Sequence, residues 1–357
     1  MPRHSRAQIE AASVAEAQLG RKGFAAAGAD DAIEGHSCGQ CTLPAERGST
    51  LPLAGRSGKH DQMILAQMFG PSALVWDGVS LTPASLDPKL KKEAGRGASV
   101  LAVGDEVEVA RNGDGTISIV AVAPRRTRLG RSTGENREPQ VIAANAERAV
   151  IISSADEPPF RPGLVDRWAL LAYRGGLTPF LVLNKVDLVA EDEAERMIAE
   201  AAVPLSHMLG SAKTGAGMEE LRETLRGTTS VFVGHSGVGK STILRRLLPE
   251  ETIATGEVSG KSGKGRHTTT SAKLYPLPGG GHVIDTPGVR SVSLGETTTA
   301  ETAAVFPEIR DAGPCRFSTC THRMEPGCAV LEGVRNGSIP EQVYARYRKL
   351  LHEAELE

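Results

Sequence analysis

Apolar residues fall into several distinct patterns along this chain. Between residues 70 and 131 they come in short runs broken by turn residues: ALVWDG, VSLTPA, ASVLAVGDEVEVA and GTISIVAVAP. Alternation is clearest from Asp105 to Val109, and an Asn112-Gly113-Asp114-Gly115 turn precedes the last run. That pattern predicts a hairpin within a small all-β module, and a barrel of the oligonucleotide-binding type fits. Further on, Ala149 to Ser153 (AVIIS), Phe180 to Asn184 (FLVLN), Val203 to Leu209 and Ser230 to Val233 are short, mainly apolar runs. Helical periods lie between them, at Pro162 to Arg174 and Met218 to Leu225. Runs without alternation predict strands buried on both faces, and helices between them predict β-α-β crossovers in a parallel sheet. Near the C-terminus, Pro340 to Leu351 puts Val343, Tyr347, Leu350 and Leu351 on one helical face. Residues 1–69 show no sustained period, are rich in Ala, Gly and Ser, and carry balanced charge. They are predicted to be an N-terminal extension, mostly disordered, with a short helix near Ile9 to Leu19.

With 357 residues there is room for two or three domains, each with its own core. The expected division is the extension (1–69), the barrel (70–131), an α/β domain (132–300) and a C-terminal helical module (301–357). The 41 basic and 43 acidic residues leave a net charge of −2, which excludes a protein that coats a polyanion with its whole surface. No apolar run approaches the roughly 18 residues a membrane span needs, and no basic region leads into an apolar core at the N-terminus. A cytoplasmic protein without membrane contact is expected. Five cysteines are odd in number and read as metal ligands or thiols rather than a disulfide framework. Of these, Cys38 and Cys41 form a C-x-x-C beside His36, open to metal binding, redox chemistry or incidental thiols.

The candidate chemistry centres on Ser230 to Leu248, SVFVGHSGVGKSTILRRLL. A β-branched strand, then G-x-x-x-x-G-K-S, then an amphipathic helix is a phosphate loop. Gly234, His235, Ser236, Gly237, Val238 and Gly239 would wrap the phosphates with backbone N–H groups. Lys240 would reach the β- and γ-phosphates, and Ser241 would ligate Mg²⁺ beside Thr242. The run Asn184-Lys185-Val186-Asp187 ends a predicted strand. A carboxylate there accepts two hydrogen bonds from the N1–H and amine edge of guanine, a pair adenine cannot offer. Asn184 would brace the loop, the Lys185 stem would lie along the base, and Ser211-Ala212-Lys213 would offer the Ala212 N–H to guanine O6. GTP and GDP are therefore the expected ligands. The acid-free stretch Ser259 to Lys273 reads as a first switch, with Thr268 or Thr269 on Mg²⁺. Asp285-Thr286-Pro287-Gly288 reads as a second switch, with Asp285 in the Mg²⁺ shell and the Gly288 N–H on the γ-phosphate. Where many GTPases carry a water-orienting glutamine stands Val289; His267 is the candidate for that role, or else an RNA-contacting or merely exposed histidine.

Base-recognition motifs precede the phosphate loop, a circular permutation of the usual order. The second switch then runs directly toward Cys315-x4-Cys320-x-His322-x5-Cys328, three thiolates and an imidazole suited to one structural, tetrahedral Zn²⁺. Behind the barrel, PRRTRLGR places Arg125, Arg126, Arg128 and Arg131 together without an acid, either a solvated loop or a phosphate-backbone contact. Arg346, Arg348 and Lys349 are read chiefly as a solvated helix face.

With these residues in view, the chain resembles the bacterial small-ribosomal-subunit biogenesis GTPase A family, from about Ala73 to the C-terminus. The resemblance rests on VGDEVEV, PRRTRLGR, QVIAANAERAVIISSA, NKVDL, GHSGVGKST, GRHTTT, IDTPGVR, FPEI and CRFSTCTHRMEPGCAV. It implies a multi-domain chain with an OB barrel, a circularly permuted P-loop GTPase domain and a zinc module. It also implies GTP hydrolysis stimulated by the small ribosomal subunit, a late maturation role, ribosomal RNA binding by barrel and zinc module, and His267 as the catalytic histidine. A monomer is expected. The competing reading is a nucleotide-gated RNA-binding checkpoint in which hydrolysis is incidental. Two departures stand out: the barrel looks short by a strand, and residues 1–69 match no known pattern.

Overall fold

The computed structural model describes residues 61–70, 72–94, 101–131, 140–249, 272–287 and 292–356. His36, Cys38, Cys41, the helix expected near Ile9, His267, Thr268, Thr269, Gly288 and Val289 lie outside them.

The first module is a closed five-stranded barrel. Strands β1 (Asp61–Phe69), β2 (Ser72–Trp76) and β3 (Leu81–Leu86) are followed by helix α1 (Pro88–Ala94), then β4 (Glu106–Arg111) and β5 (Ile117–Val122). β1 pairs antiparallel with both β2 and β4, β3 runs parallel to β5, and β5 returns antiparallel to β4, closing the ladder. Met63, Leu65, Val75, Val107, Val109, Ile117 and Ile119 point inward from alternate positions. The strand the barrel seemed to lack is β1, which lies inside the stretch expected to be disordered extension. A bulge between Leu65 and Gln67 buries Leu65 and Ala66 in succession, so the period of two is broken where it would have announced the strand.

An antiparallel ribbon of β6 (Arg128–Arg131) and β7 (Gln140–Ala144) leads into the α/β domain. Its elements follow in order: β8 (Arg148–Ser154), α2 (Pro162–Arg174), β9 (Thr178–Asn184), α3 (Glu193–Glu200), β10 (His207–Leu209), α4 (Met218–Leu225), β11 (Thr229–Val233), α5 (Lys240–Leu247), β12 (Lys273–Pro276) and β13 (His282–Asp285). The sheet order is β10-β9-β8-β11-β13-β12, parallel except for β12. β10 is shorter than the apolar run from Val203 suggests: Pro204 lacks a ladder donor, and pairing with β9 begins at His207 opposite Leu181. Apolar side chains cover both faces of the sheet: α2 packs on one, α4 and α5 on the other.

Barrel and sheet meet along an edge. Gln67 of β1 pairs with Lys273 of β12, and Trp76 stands edge-on to His282 with ring centres 6.5 Å apart. Gly104 fixes the closest approach: a Cβ there would lie 2.1 Å from the Ala144 carbonyl oxygen, so only glycine fits.

The C-terminal module holds α6 (Thr299–Ala304), α7 (Pro307–Arg310), α8 (Ala329–Arg335) and α9 (Glu341–Leu356). Thr298 and Glu301 form a reciprocal capping box at the start of α6. Val343, Tyr347, Leu350 and Leu351 of α9 are buried, as their spacing predicts, with Tyr347 edge-on to Phe306 at 6.1 Å. Arg346 corrects the expected solvated face. Its Nε donates to Asp166 Oδ2 at 2.9 Å, Nη2 to Oδ1, and Nη1 to the carbonyls of Ala201 and Ala202. It thus anchors α9 on α2, alongside the pair of Arg167 with Glu353 at 2.9 Å. A helical face is counted from apolar positions, and an arginine whose long apolar stem lets it cross a seam to a buried acid escapes that count.

Candidate functional site

The phosphate loop occupies the turn between β11 and α5, at the C-terminal edge of the parallel sheet where a helix N-terminus opens. Gly234 has a φ of 142°, and a Cβ there would sit 2.2 Å from the Ile152 carbonyl oxygen. Gly239 has a φ of 99°, and its Cβ would meet Asn184 Nδ2 at 2.2 Å. Both glycines are therefore demanded by neighbours as well as by turn geometry. Lys240 is buried, and its ammonium donates to the carbonyls of Gly234 at 2.7 Å and His235 at 3.1 Å. Burial holds its pKa below the ordinary lysine value, with the charge of Asp285 acting the other way. Ser241 and Thr242 are exposed at the helix start.

Asp285 ends β13, next to β11 in the sheet. Its Oδ1 is buried without a hydrogen-bond partner among the described residues, and burial pushes its pKa up to about 6, with Lys240 opposing. A buried carboxylate oxygen left unpaired among the described residues, close to the lysine of the phosphate loop, fits a divalent cation and its waters. Thr286 Oγ1 donates to the Phe232 carbonyl at 2.6 Å and fixes the strand end.

Asn184 is the centre of the base-side geometry. Its Nδ2 donates to the Val238 carbonyl at 2.8 Å, and its Oδ1 accepts the Ala212 N–H at 3.0 Å. The expected brace is thus present, joining the phosphate loop to the Ser211–Lys213 loop. The Ala212 N–H, offered to guanine O6 in the sequence reading, is engaged here by Asn184. Asp187 Oδ1 accepts the Ser211 hydroxyl at 2.6 Å and Oδ2 lies 3.5 Å from Lys213 Nζ; the serine first, then the lysine, hold its pKa below the ordinary carboxylate value. Lys185 has a φ of 62° and its ammonium donates to the Glu157 carbonyl. Ser154 Oγ donates to the Pro158 carbonyl at 2.6 Å, folding this loop against the site, where Pro158 Cδ comes 3.7 Å from the Cβ position of Gly237. No motif announces that loop, since its contribution is made by backbone carbonyls.

Outside the nucleotide site, Cys315, Cys320, His322 and Cys328 converge with all ligand atoms within 4.8 Å of one another. Cys315 Sγ is 3.5 Å from His322 Nδ1 and 3.8 Å from Cys328 Sγ, and Cys328 Sγ is 3.4 Å from the same nitrogen. Zinc–sulfur bonds of about 2.3 Å at tetrahedral angles require sulfurs roughly 3.8 Å apart. The cluster could hold one zinc ion through these four side chains. His322 reaches it from a φ of 58°, with its carbonyl accepting the Tyr344 hydroxyl at 2.7 Å.

Of the four clustered arginines, Arg125 turns inward. Its Nε and Nη2 donate to the two oxygens of fully buried Asp105 at 2.7 and 2.9 Å, a two-pronged ion pair inside the barrel's seam with the α/β domain. Arg126 pairs with Glu106 at 2.6 Å on the surface, Arg131 donates to Gln140, and Arg128 is exposed on β6.

An RsgA GTPase family model matches residues 122–295. Over 267 residues, 71% of this chain and 86% of the relative, the chain is 42% identical to the small ribosomal subunit biogenesis GTPase RsgA of Chlorobaculum parvum. The chain belongs to the RsgA GTPase family. It is also 43% identical to the RsgA of Azotobacter vinelandii, over 70% of this chain and 74% of that one. The crystal structure of YjeQ from Thermotoga maritima superposes with a TM-score of 0.65 at 29% identity, covering 83% of this chain and 98% of that one. YloQ, described as a circularly permuted GTPase, shares the fold at a TM-score of 0.62 and 23% identity, over 85% and 97% of the two chains. Membership of the RsgA family makes the chain a GTP hydrolase, and the permuted motif order is the family's architecture.

Proposed function

We propose that this GTPase acts on the small ribosomal subunit, hydrolysing GTP to GDP and phosphate when docked there, late in subunit maturation. The observation that carries the nucleotide half is Asn184, which joins the base loop to the phosphate loop beside the unpaired Asp285 oxygen. The ribosomal half is supported by the family's name and by the exposed Arg128 beside the barrel, with Arg126 next to it on the surface in an exposed pair with Glu106 that a phosphate could displace. Arg125, held by Asp105, is left out of that surface.

In this reading Asp187 accepts the guanine N1–H and amine, Lys185 lies along the base, and Lys240 leaves its carbonyls to meet the β- and γ-phosphates. Ser241, Asp285 and Thr268 or Thr269 hold Mg²⁺, whose charge neutralises the phosphates when bound. The Gly288 N–H and His267 act at the γ-phosphate, His267 orienting the attacking water. Zinc keeps the C-terminal module folded so that it and the barrel form the RNA-binding faces. The protein works as a cytoplasmic monomer.

The test is GTP turnover by the purified protein with and without small ribosomal subunits, at two salt concentrations. Strong stimulation that weakens with salt is expected, and His267→Ala should lower it while leaving GTP affinity within about twofold. Absent stimulation, with GTP still bound, would replace this reading by a nucleotide-gated RNA-binding checkpoint.

A further inference from the structure

The two halves of the nucleotide site are held together twice, and only one of the two ties involves a recognised motif. Asn184 reaches from the base side to the phosphate loop. Arg246 reaches back from the phosphate side. It sits in the last turn of α5, the helix that begins with Lys240. Its Nε donates to the Ala212 carbonyl at 2.9 Å and its Nη2 to the Lys213 carbonyl at 2.7 Å. The helix is fixed in turn by Arg222 of α4, whose Nη2 donates to the Arg246 carbonyl at 2.9 Å. Beneath these contacts Ala212, Met218, Leu221, Ile243 and Leu244 share one buried cluster.

We propose that Arg246 is a positioning residue for guanine recognition: it fixes the peptide planes of the Ser211–Lys213 loop so that a backbone N–H meets guanine O6. The inference rests on the guanine reading above. In a trans peptide the carbonyl and the next N–H point in opposite directions. An Ala212 carbonyl held by Arg246 therefore turns the Lys213 N–H away from the helix. Because the Ala212 N–H is already taken by Asn184, this second N–H matters for O6. The guanidinium also polarises both peptides, since charge-assisted hydrogen bonds are the stronger kind. Its fork geometry spans two carbonyls, which a lysine cannot reproduce.

The experiment compares binding of GDP, IDP and the diphosphate of 2-aminopurine riboside to the full-length protein and to Arg246→Ala, Arg246→Lys and Arg245→Ala. The 2-aminopurine compound lacks O6 and the N1–H that goes with it, a loss at Asp187 that is the same in every variant, and IDP lacks only the amine read by Asp187. In Arg246→Ala the preference for GDP over the 2-aminopurine compound should fall about fivefold or more, while the preference for GDP over IDP stays within twofold. Arg246→Lys should recover part of the loss. Arg245→Ala, which removes the same charge from the same helix, should recover full discrimination, as Arg245 makes no such contact among the described residues. Thermal melting of each variant accompanies the titrations. Unchanged discrimination at position 6, or an equal loss for all three nucleotides, would overturn the proposal. A parent protein with no preference for GDP over ADP would instead overturn the guanine reading itself.

Discussion

The nucleotide site and the zinc cluster are both built from polar side chains at the ends of secondary structure, yet they satisfy those side chains in opposite ways. In the Cys315–Cys320–His322–Cys328 cluster four ligand atoms face one another, the Leu331 N–H donates to Cys328 Sγ, and packed aromatic rings from Tyr347 and Phe306 stand behind them. In the nucleotide site Asp285 keeps a buried oxygen without a partner among the described residues, and Lys240 donates to the carbonyls of its own loop. A site that holds structure closes on its own ligands. A site that binds and releases a substrate retains groups that only the substrate and its metal complete.

The largest effect expected from breaking this contrast is at the cluster. Cys320→Ala should abolish stoichiometric zinc and unfold the C-terminal module, since metal binding in isolated zinc peptides is worth on the order of 10 kcal/mol. Zinc analysis with circular dichroism reads this, and GDP affinity should stay within about threefold. A variant that keeps both its zinc and its melting profile would remove the module's closed character.

Next in size is the seam between the two regions. Arg346→Ala leaves Asp166 buried without its ion-pair partner, a loss of roughly 3–5 kcal/mol in stability. Burial already raises the Asp166 pKa against the pull of Arg346, so the unpaired acid would take up a proton more readily still. Denaturant unfolding should show a destabilisation that shrinks as pH is lowered; a change below about 1 kcal/mol would place the seam's strength elsewhere.

The smallest effect has an unusual sign. The Asp285 carboxyl titrates at about 6 in the fold against 3.8 in the unfolded chain, so between those values the folded state holds more protons and stability falls as pH rises. At about 1.4 kcal/mol per pH unit, the ionised group costs the nucleotide-free fold up to roughly 3 kcal/mol above pH 6. Asp285→Asn should therefore raise the melting temperature of the nucleotide-free protein at pH 8, leave it nearly unchanged at pH 4, and weaken Mg²⁺-dependent GTP binding at least tenfold. A variant less stable than the parent at pH 8 would show that the free oxygen is satisfied in solution.

Motif-bearing residues were legible because their spacing is local. Gly234 to Ser241, Asn184 to Asp187 and Cys315 to Cys328 each gather a motif within one short stretch, and the helices at Pro162–Arg174 and Met218–Leu225 follow from their own periods. Strand β1 was hidden by its bulge. The basic run was misleading for Arg125, because a charge cluster in sequence does not show that a buried acid twenty residues earlier waits for one member of it.

The amino-acid sequence by itself determined which motifs this protein carries: an N-K-x-D run, a phosphate-loop signature, a four-residue Cys/His cluster and their permuted order. Short-range backbone requirements, such as positive φ at Gly239, write such features directly into neighbouring residues. Only the tertiary structure decided how the parts are tied together. Arg246 on the Ala212 and Lys213 carbonyls, Arg346 on Asp166 and Arg125 on Asp105 each span a gap in sequence. Each also depends on where a carbonyl or carboxylate is held in space, and no pattern of residue types along the chain encodes that position.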